Sequence, residues 1–244
     1  MDGIEVRNLK KSYEVDRRRL EVLNGIDLCL EPGEITILLG RSGCGKTTLL
    51  RLVGGLERCD SGEVVYHSQH KTAFVFQEPR LMPWLDVKEN VAFGLKSGQG
   101  EADRERMEAK LESVIRLVGL ADFEHAYPAQ LSGGMQQRTA IARALAYEPS
   151  FILMDEPFAA LDYFTREQMQ REVIRVQREE GSSILFVTHS IDEALILGHK
   201  IVVMKDGRVH SEYRIAQEDG KRDLMDERLL KMKQDILKDI EEQV

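Results

Sequence analysis

The stretch "GRSGCGKTTLL", Gly40 to Leu50, constrains this chain more than any other. It directly follows the apolar run "EITILL" and fills the spacing G-x-x-x-x-G-K-[ST] with Gly40, Gly45, Lys46 and Thr47. A loop so poor in side chains adds nothing to a core. An apolar strand can deliver the chain to a tight turn in which Gly40, Gly43 and Gly45 let the backbone approach a ligand, and successive N–H groups then face inward as an anion nest. The run "KTTLLRLVGGL" predicts a helix, whose unsatisfied N–H groups and positive dipole end add to the same cradle. There Lys46 reaches the β- and γ-phosphates of a nucleoside triphosphate, and the Thr47 hydroxyl ligates Mg²⁺. At ordinary glycine frequency the pattern arises by chance in about one chain of this length in a hundred. Its place between strand and helix lowers that figure further.

The rest of the composition narrows the class. A chain of 244 residues, 42% of them hydrophobic, can bury a full core and is not disordered. Its formal net charge of −8 argues against a nucleic-acid partner held by phosphate neutralisation. The apolar runs "ITILLG" and "FILM" fall far short of the roughly 20 residues of a membrane span. The opening "MDGIEVRNLKKSY" has no apolar core of a signal peptide. The expectation is a cytoplasmic protein able to dock on a membrane partner. Cys29, Cys44 and Cys59 lack C-x-x-C spacing and predict neither a disulfide framework nor a zinc site. Cys44 lies inside the glycine loop, where a bulky adduct would block the cradle.

Along the chain, "IEVRNL", "EVLNGIDLCL" and "EITILL" predict an antiparallel sheet leading into the strand before the loop, and "SGEVVYH" and "KTAFVFQ" two further strands. From about residue 86 to 145 the pattern is helical, with Met107, Leu111, Val114, Ile115 and Val118 on one face. An inserted helical lobe is expected there. An α/β alternation then returns: "SFILMDEP" and "SSILFVTH" as strands, "TREQMQREVIRVQREEG" as an amphipathic helix, "IDEALILG" as a helix and "KIVVMKDGRV" as a hairpin. The tail, about 214–244, is charged and helical, with Leu229, Met232, Ile236 and Ile240 along one stripe expected to pack on its own domain. The whole reads as one nucleotide-binding module over residues 1–244.

Two further motifs carry chemistry. "FILMDEP" ends an apolar strand in Asp155 and Glu156, and ligands of open parallel sheets bind outside the carboxyl ends of strands. Beside a phosphate loop, Asp155 would hold Mg²⁺ through water and Glu156 would act as general base on the attacking water. "LSGGMQQR", Leu131 to Arg138, starts a helix with Ser132, Gly133 and Gly134. Ser132 could be a simple N-cap, yet one capped helix needs no tandem glycines, and a second anion-ready helix start fits the same γ-phosphate.

Taken together these residues resemble the ATP-binding-cassette family through about Val209. The resemblance implies an α/β P-loop NTPase with a RecA-like core, an N-terminal antiparallel β subdomain and an inserted α-helical subdomain. It makes Gly40, Arg41, Ser42, Gly43, Cys44, Gly45, Lys46, Thr47 and Thr48 the Walker A loop and Asp155 with Glu156 the Walker B pair. Gln77 in "FVFQEP" becomes the Q-loop glutamine, a catalytic and Mg²⁺-directed residue. Asp162 in "AALD" becomes the D-loop aspartate, His189 in "VTHS" the switch histidine at the γ-phosphate, and Tyr13 in "KKSYEV" the aromatic that stacks on adenine. A head-to-tail homodimer follows, each ATP lying between one subunit's Walker A loop and the other's Ser132 to Gly134.

"FQEPRLMPWLDVKENVAFGL" and "THSIDEALILGHKIVVM" are similar to the ATPases of nitrate, sulfonate and taurine importers. That likeness implies integral-membrane permease subunits and, through them, a solute-binding protein as partners, with the chain peripheral on the inner face of the membrane. Pro83 and Trp84 then belong to the permease contact. An exporter ATPase or a non-transport cassette ATPase stays open as the alternative. Three departures stand out: a short stretch from Val65 to Lys71, Ala159 where glycine is usual, and Ser190 where aspartate usually follows the histidine.

Overall fold

The computed structural model describes residues 3–67, 71–95, 101–216 and 222–241, with the side chains of 101 and 102 outside the description. Parts of the short 65–71 stretch, of the helical region and of the tail read from Gln217 lie outside the described residues. The chain forms two compact units, Met1–His70 with Gly181–Val244, and Lys71–Glu180.

In the first unit, β1 (Ile4–Val15) and β2 (Arg18–Leu30) form an antiparallel hairpin, and β4 (Ser61–Tyr66) pairs antiparallel with β1 on its other edge. The inward residues Ile4, Val6, Leu9, Leu23, Ile26, Leu28 and Leu30 are all buried while their neighbours face out, the alternation of a one-sided sheet. The next strand, β3 (Ile35–Leu39), is buried at every position. Such a run belongs inside a parallel sheet. It pairs parallel with β7 (Ser183–Thr188) on one side and with β8 (Lys200–Lys205) on the other, and β9 (Arg208–Arg214) closes the edge antiparallel to β8. Helix α1 (Lys46–Val53) packs on β7 and β2, and α6 (Ile191–Leu197) on β3 and β7. The tail forms α7 (Glu227–Glu241), which buries Leu229 and Ile236 and packs on α6 and β8, as the stripe predicts.

In the second unit, β5 (Thr72–Val75) pairs parallel with β6 (Phe151–Asp155). Helices α2 (Val87–Ala92), α3 (Glu101–Leu117) and α4 (Gly133–Ala146) pack on one another, and α5 (Tyr163–Glu180) follows β6. Leu111, Val114, Ile115 and Val118 are buried and Met107 is half-buried, so the 3-to-4 spacing marked the inner face with its first residue at the rim. The two short strands β4 and β5, neighbours in sequence, go to different units, which their alternation patterns did not distinguish.

Candidate functional site

In the first unit, β3 ends at Leu39 and the glycine loop begins. Gly40 and Gly45 are dictated by local packing: a Cβ on Gly40 would sit 2.4 Å from the Met204 carbonyl oxygen, and one on Gly45 2.8 Å from the Val22 oxygen. Gly45, at φ 101°, is also in a region side chains avoid. The loop is thus clamped between β8 and β2 and delivers α1 with its N–H groups toward the loop. Lys46 is buried, and its ammonium donates to the carbonyl oxygens of Gly40 at 2.8 Å and Arg41 at 2.9 Å. A cation held at the centre of the loop by its own carbonyls is placed to meet an oxyanion. Burial pushes the Cys44 thiol above its ordinary range, against a smaller opposing pull from Lys46.

Parallel register places a second residue at this end of the sheet. Leu39 pairs with Thr188, so the next residues, Gly40 and His189, leave adjacent strands side by side. His189 is exposed, and the residues on either side of it are hydrogen-bonded. The Ser190 amide donates to Thr188 Oγ1 at 3.0 Å, Thr188 Oγ1 donates to the buried Glu193 carboxylate at 2.6 Å, and the Glu193 amide donates to Ser190 Oγ at 3.3 Å. Ser190 therefore serves as the N-cap of α6, a task aspartate performs equally well, which accounts for that departure. Tyr13 is half-buried, with its hydroxyl donating to Glu57 and the Lys11 ammonium 5.1 Å from its ring centroid. Burial, followed by Glu57, raises its phenol above the ordinary value, while Thr48 opposes this. A phenol fixed by its hydroxyl offers a ligand only its ring.

The second unit holds the remaining residues. Val75 pairs with Met154, so Gln77 and the acids Asp155 and Glu156 leave the two parallel strands at the same end. Asp155 closes β6 and is buried; Glu156 is half-buried and sits at φ 43°, a left-handed conformation rare for a residue with a side chain. Holding it there costs on the order of 1–2 kcal/mol. Such strain at a carboxylate re-aims it away from the strand direction. Asp162 is exposed, and its carboxylate accepts from the Thr165 amide at 3.1 Å, capping the start of α5. The Thr165 hydrogen bonds hold that carboxyl below its ordinary range.

Ser132 is the N-cap of α4, accepting from the Met135 amide at 3.3 Å. Gly133 and Gly134 then occupy the first helical positions. A Cβ on Gly133 would meet nothing within 4 Å, and one on Gly134 only ordinary contacts at 3.4 Å. Neither backbone geometry nor packing within the unit explains them.

Two supports escaped the sequence reading. Gln137 of α4 is buried and donates from Nε2 to the Phe76 carbonyl at 3.0 Å, linking this helix to the residue before Gln77. Asn90 is fully buried, and its amide donates to the carbonyls of Met82, Leu85 and Asp86 while Oδ1 accepts from the Met82 amide at 2.8 Å. It fixes the turn on which Trp84 stands 69% exposed. A large aromatic displayed on a rigid turn is the composition of a contact anchor. The only sequence signal for Asn90 is a polar residue on the apolar face of α2.

Comparison with known proteins identifies the family. Residues 23–159 match the ABC transporter family. The chain is 42% identical over 225 residues to a taurine import ATP-binding protein of Roseobacter denitrificans, covering 88% of this chain and 83% of that one. It is 50% identical over 194 residues to an aliphatic sulfonates import ATP-binding protein of Pseudomonas fluorescens, covering 80% and 71%. Among solved structures, the dimeric post-hydrolysis state of an ATP-binding cassette bound to ADP and Pi superposes with a TM-score of 0.79 at 32% identity, over 88% of this chain and 100% of that one.

Proposed function

This chain belongs to the ABC transporter family, and on that premise we propose that it is the ATP-hydrolysing subunit of an importer for taurine, aliphatic sulfonates, nitrate or a related small solute. It works in this reading as a head-to-tail homodimer, peripheral on the inner membrane face, on permease subunits served by a solute-binding protein. The observation that carries import is the 42% and 50% identity to import ATP-binding proteins over most of the chain. Among the described residues no helix is long and apolar enough to cross a membrane.

The residues divide the work. Lys46 exchanges its carbonyl partners for phosphate oxygens, and the α1 amides complete the cradle. Tyr13 offers its ring face to adenine. Glu156, turned out of the strand, takes the proton of the attacking water, while His189, on the strand end beside Gly40, donates to the γ-phosphate. Gln77 orients that water from the end of β5. Thr47, Gln77 and Asp155 supply only hard oxygen donors, which fits Mg²⁺, and no cluster of three His, Cys, Asp or Glu residues exists among the described residues to favour another metal. When bound, Mg²⁺ neutralises charge on the β- and γ-phosphates.

Gly133 and Gly134 support the sandwich, since two glycines with no use inside their own unit suit the close approach of a ligand held by a second copy. Moving an open–closed equilibrium from 1:99 to 99:1 needs about 5.5 kcal/mol. Hydrogen bonds to charged groups contribute roughly 1.5–3 kcal/mol each. A few bonds from Ser132 and the α4 amides to two γ-phosphates therefore suffice, and hydrolysis releases them.

The test uses Glu156→Gln, in which turnover falls by at least about 10²-fold and ATP with Mg²⁺ converts monomer to dimer by light scattering. Adding Ser132→Arg abolishes the dimer by excluding nucleotide. A trapped variant that stays monomeric at saturating ATP, even when assembled with its permease, sinks the sandwich. Uptake of labelled taurine, alkanesulfonate and nitrate into vesicles carrying the assembled transporter separates import from the exporter alternative.

A further inference from the structure

The geometry points to a positioning role for the C-terminal segment: Arg222 and Lys233 clamp helix α6 at its two ends and thereby set the placement of His189. This rests on the reading of His189 as the γ-phosphate switch. Helix α6 has seven residues, too few to be stable by itself. Its final carbonyls have no partner within the helix. Arg222 reaches over that end, with Nη1 2.9 Å from the Leu195 oxygen, 3.3 Å from that of Ile196 and 2.6 Å from that of Gly198. A guanidinium there also complements the negative end of the helix dipole.

The other end is held from α7. Lys233 Nζ donates to Asp192 Oδ1 at 2.5 Å in the first turn of α6. Helix α7 is in turn anchored on the sheet: Leu229 and Ile236 are buried, and the hydroxyls of Ser211 and Tyr213 on β9 donate to Asp239. Gly198 leaves no room for drift, since a Cβ there would lie 2.7 Å from Ile37 of β3.

The first turn of α6 is the part that reaches His189. Thr188, Ser190 and Glu193 form a closed set of hydrogen bonds around that residue, so a shift of the helix is transmitted to the imidazole on either side. Beyond the helix, the His199 amide donates to the Ile35 carbonyl at 2.8 Å and its Nδ1 accepts from the Ile35 amide at 2.9 Å, which fixes the following chain but leaves the last carbonyls of α6 to Arg222. Without the clamp the helix shifts more easily and His189 samples a wider arc. Misplacement by an ångström costs up to about 10²-fold in rate.

The experiment uses the full chain with its permease and steady-state ATP hydrolysis. Arg222→Ala lowers kcat about tenfold while KM for ATP stays within about twofold. In a His189→Ala background the same change lowers the residual turnover by less than about twofold, because the residue it positions is gone. Lys233→Asp lowers kcat about twofold to threefold, as befits an exposed ion pair, and the exchanged pair Lys233→Asp with Asp192→Lys restores it. Independently of hydrolysis, the imidazole NMR resonance of His189, assigned by its loss in His189→Ala, shifts in Arg222→Ala. An unchanged kcat, a loss confined to KM, an equal loss without His189, or an unmoved resonance overturns the proposal. If Arg222→Ala does not fold, the exchanged pair decides alone: recovery supports the clamp and its absence overturns it. A wild-type chain without ATPase activity refutes the functional reading, whereas the resonance still judges the clamp.

Discussion

Two glycine-rich helix starts in this chain look alike in sequence and differ in what requires them. At Gly40 and Gly45, an added Cβ would strike backbone at 2.4 and 2.8 Å, so the loop is shaped by β8 and β2 of its own unit. At Gly133 the space around an added Cβ is open to 4 Å, and the residue is helical. The first loop is therefore a product of the fold, and would keep its shape with no ligand. Nothing within its unit requires the second, and the proposed nucleotide of a second copy would supply the reason. Sequence spacing marks both as candidate anion sites, but only packing separates a glycine that the fold needs from one that it does not.

The largest effect that would break this contrast is at Gly45. Gly45→Ala forces a side chain into φ 101° and against the Val22 oxygen. The expected loss is about 2–4 kcal/mol in denaturant unfolding, together with loss of ATP binding in titration calorimetry. Stability within 0.5 kcal/mol of wild type, roughly the scatter of ordinary surface changes, would show that the loop is not held by its neighbours.

A smaller and opposite effect is expected at Gly133. Gly133→Ala removes a flexible residue from a helix and gains roughly 0.5 kcal/mol of stability. On the proposed sandwich, turnover falls about tenfold, with ATP affinity of the monomer unchanged, since the added methyl would meet the partner's nucleotide. A protein that is destabilised but fully active would make the glycine structural after all.

The smallest effect sharpens the first half of the contrast. A packed loop keeps Cys44 half-buried with its thiol raised, so the reactive thiolate is scarce at neutral pH. Maleimide inactivation is then slow near pH 7 and rises about tenfold per pH unit until the pH passes the ordinary thiol range, with ATP protecting and Cys44→Ala resistant. A rate that bends at the ordinary thiol value of about 8.5 would mean the loop opens freely.

Legibility in the sequence followed the range of the interactions involved. The places of the glycine loop, the Asp155–Glu156 pair and the Ser132 helix start were readable because each is a contiguous run beside a strand or helix with a clear local pattern. The buried face of α3 was readable for the same reason, as a period. Asn90 and Gln137 were not, because a buried polar side chain announces itself only through the carbonyls it satisfies, those of Met82, Leu85 and Asp86 in an irregular turn for Asn90 and that of Phe76, far off in sequence, for Gln137.

By itself, the sequence determined that a glycine-rich loop links a strand to a helix and that two acids end a second strand, because motif spacing depends on residue type and order along the chain. Only the tertiary structure decided that His189 emerges beside Gly40, that Glu156 is turned into a left-handed conformation, and that the tail reaches back to grip α6. Those outcomes depend on strand register and on contacts between residues far apart in sequence. Nothing in a linear order of residues says which carbonyls an arginine 24 to 27 positions away will meet.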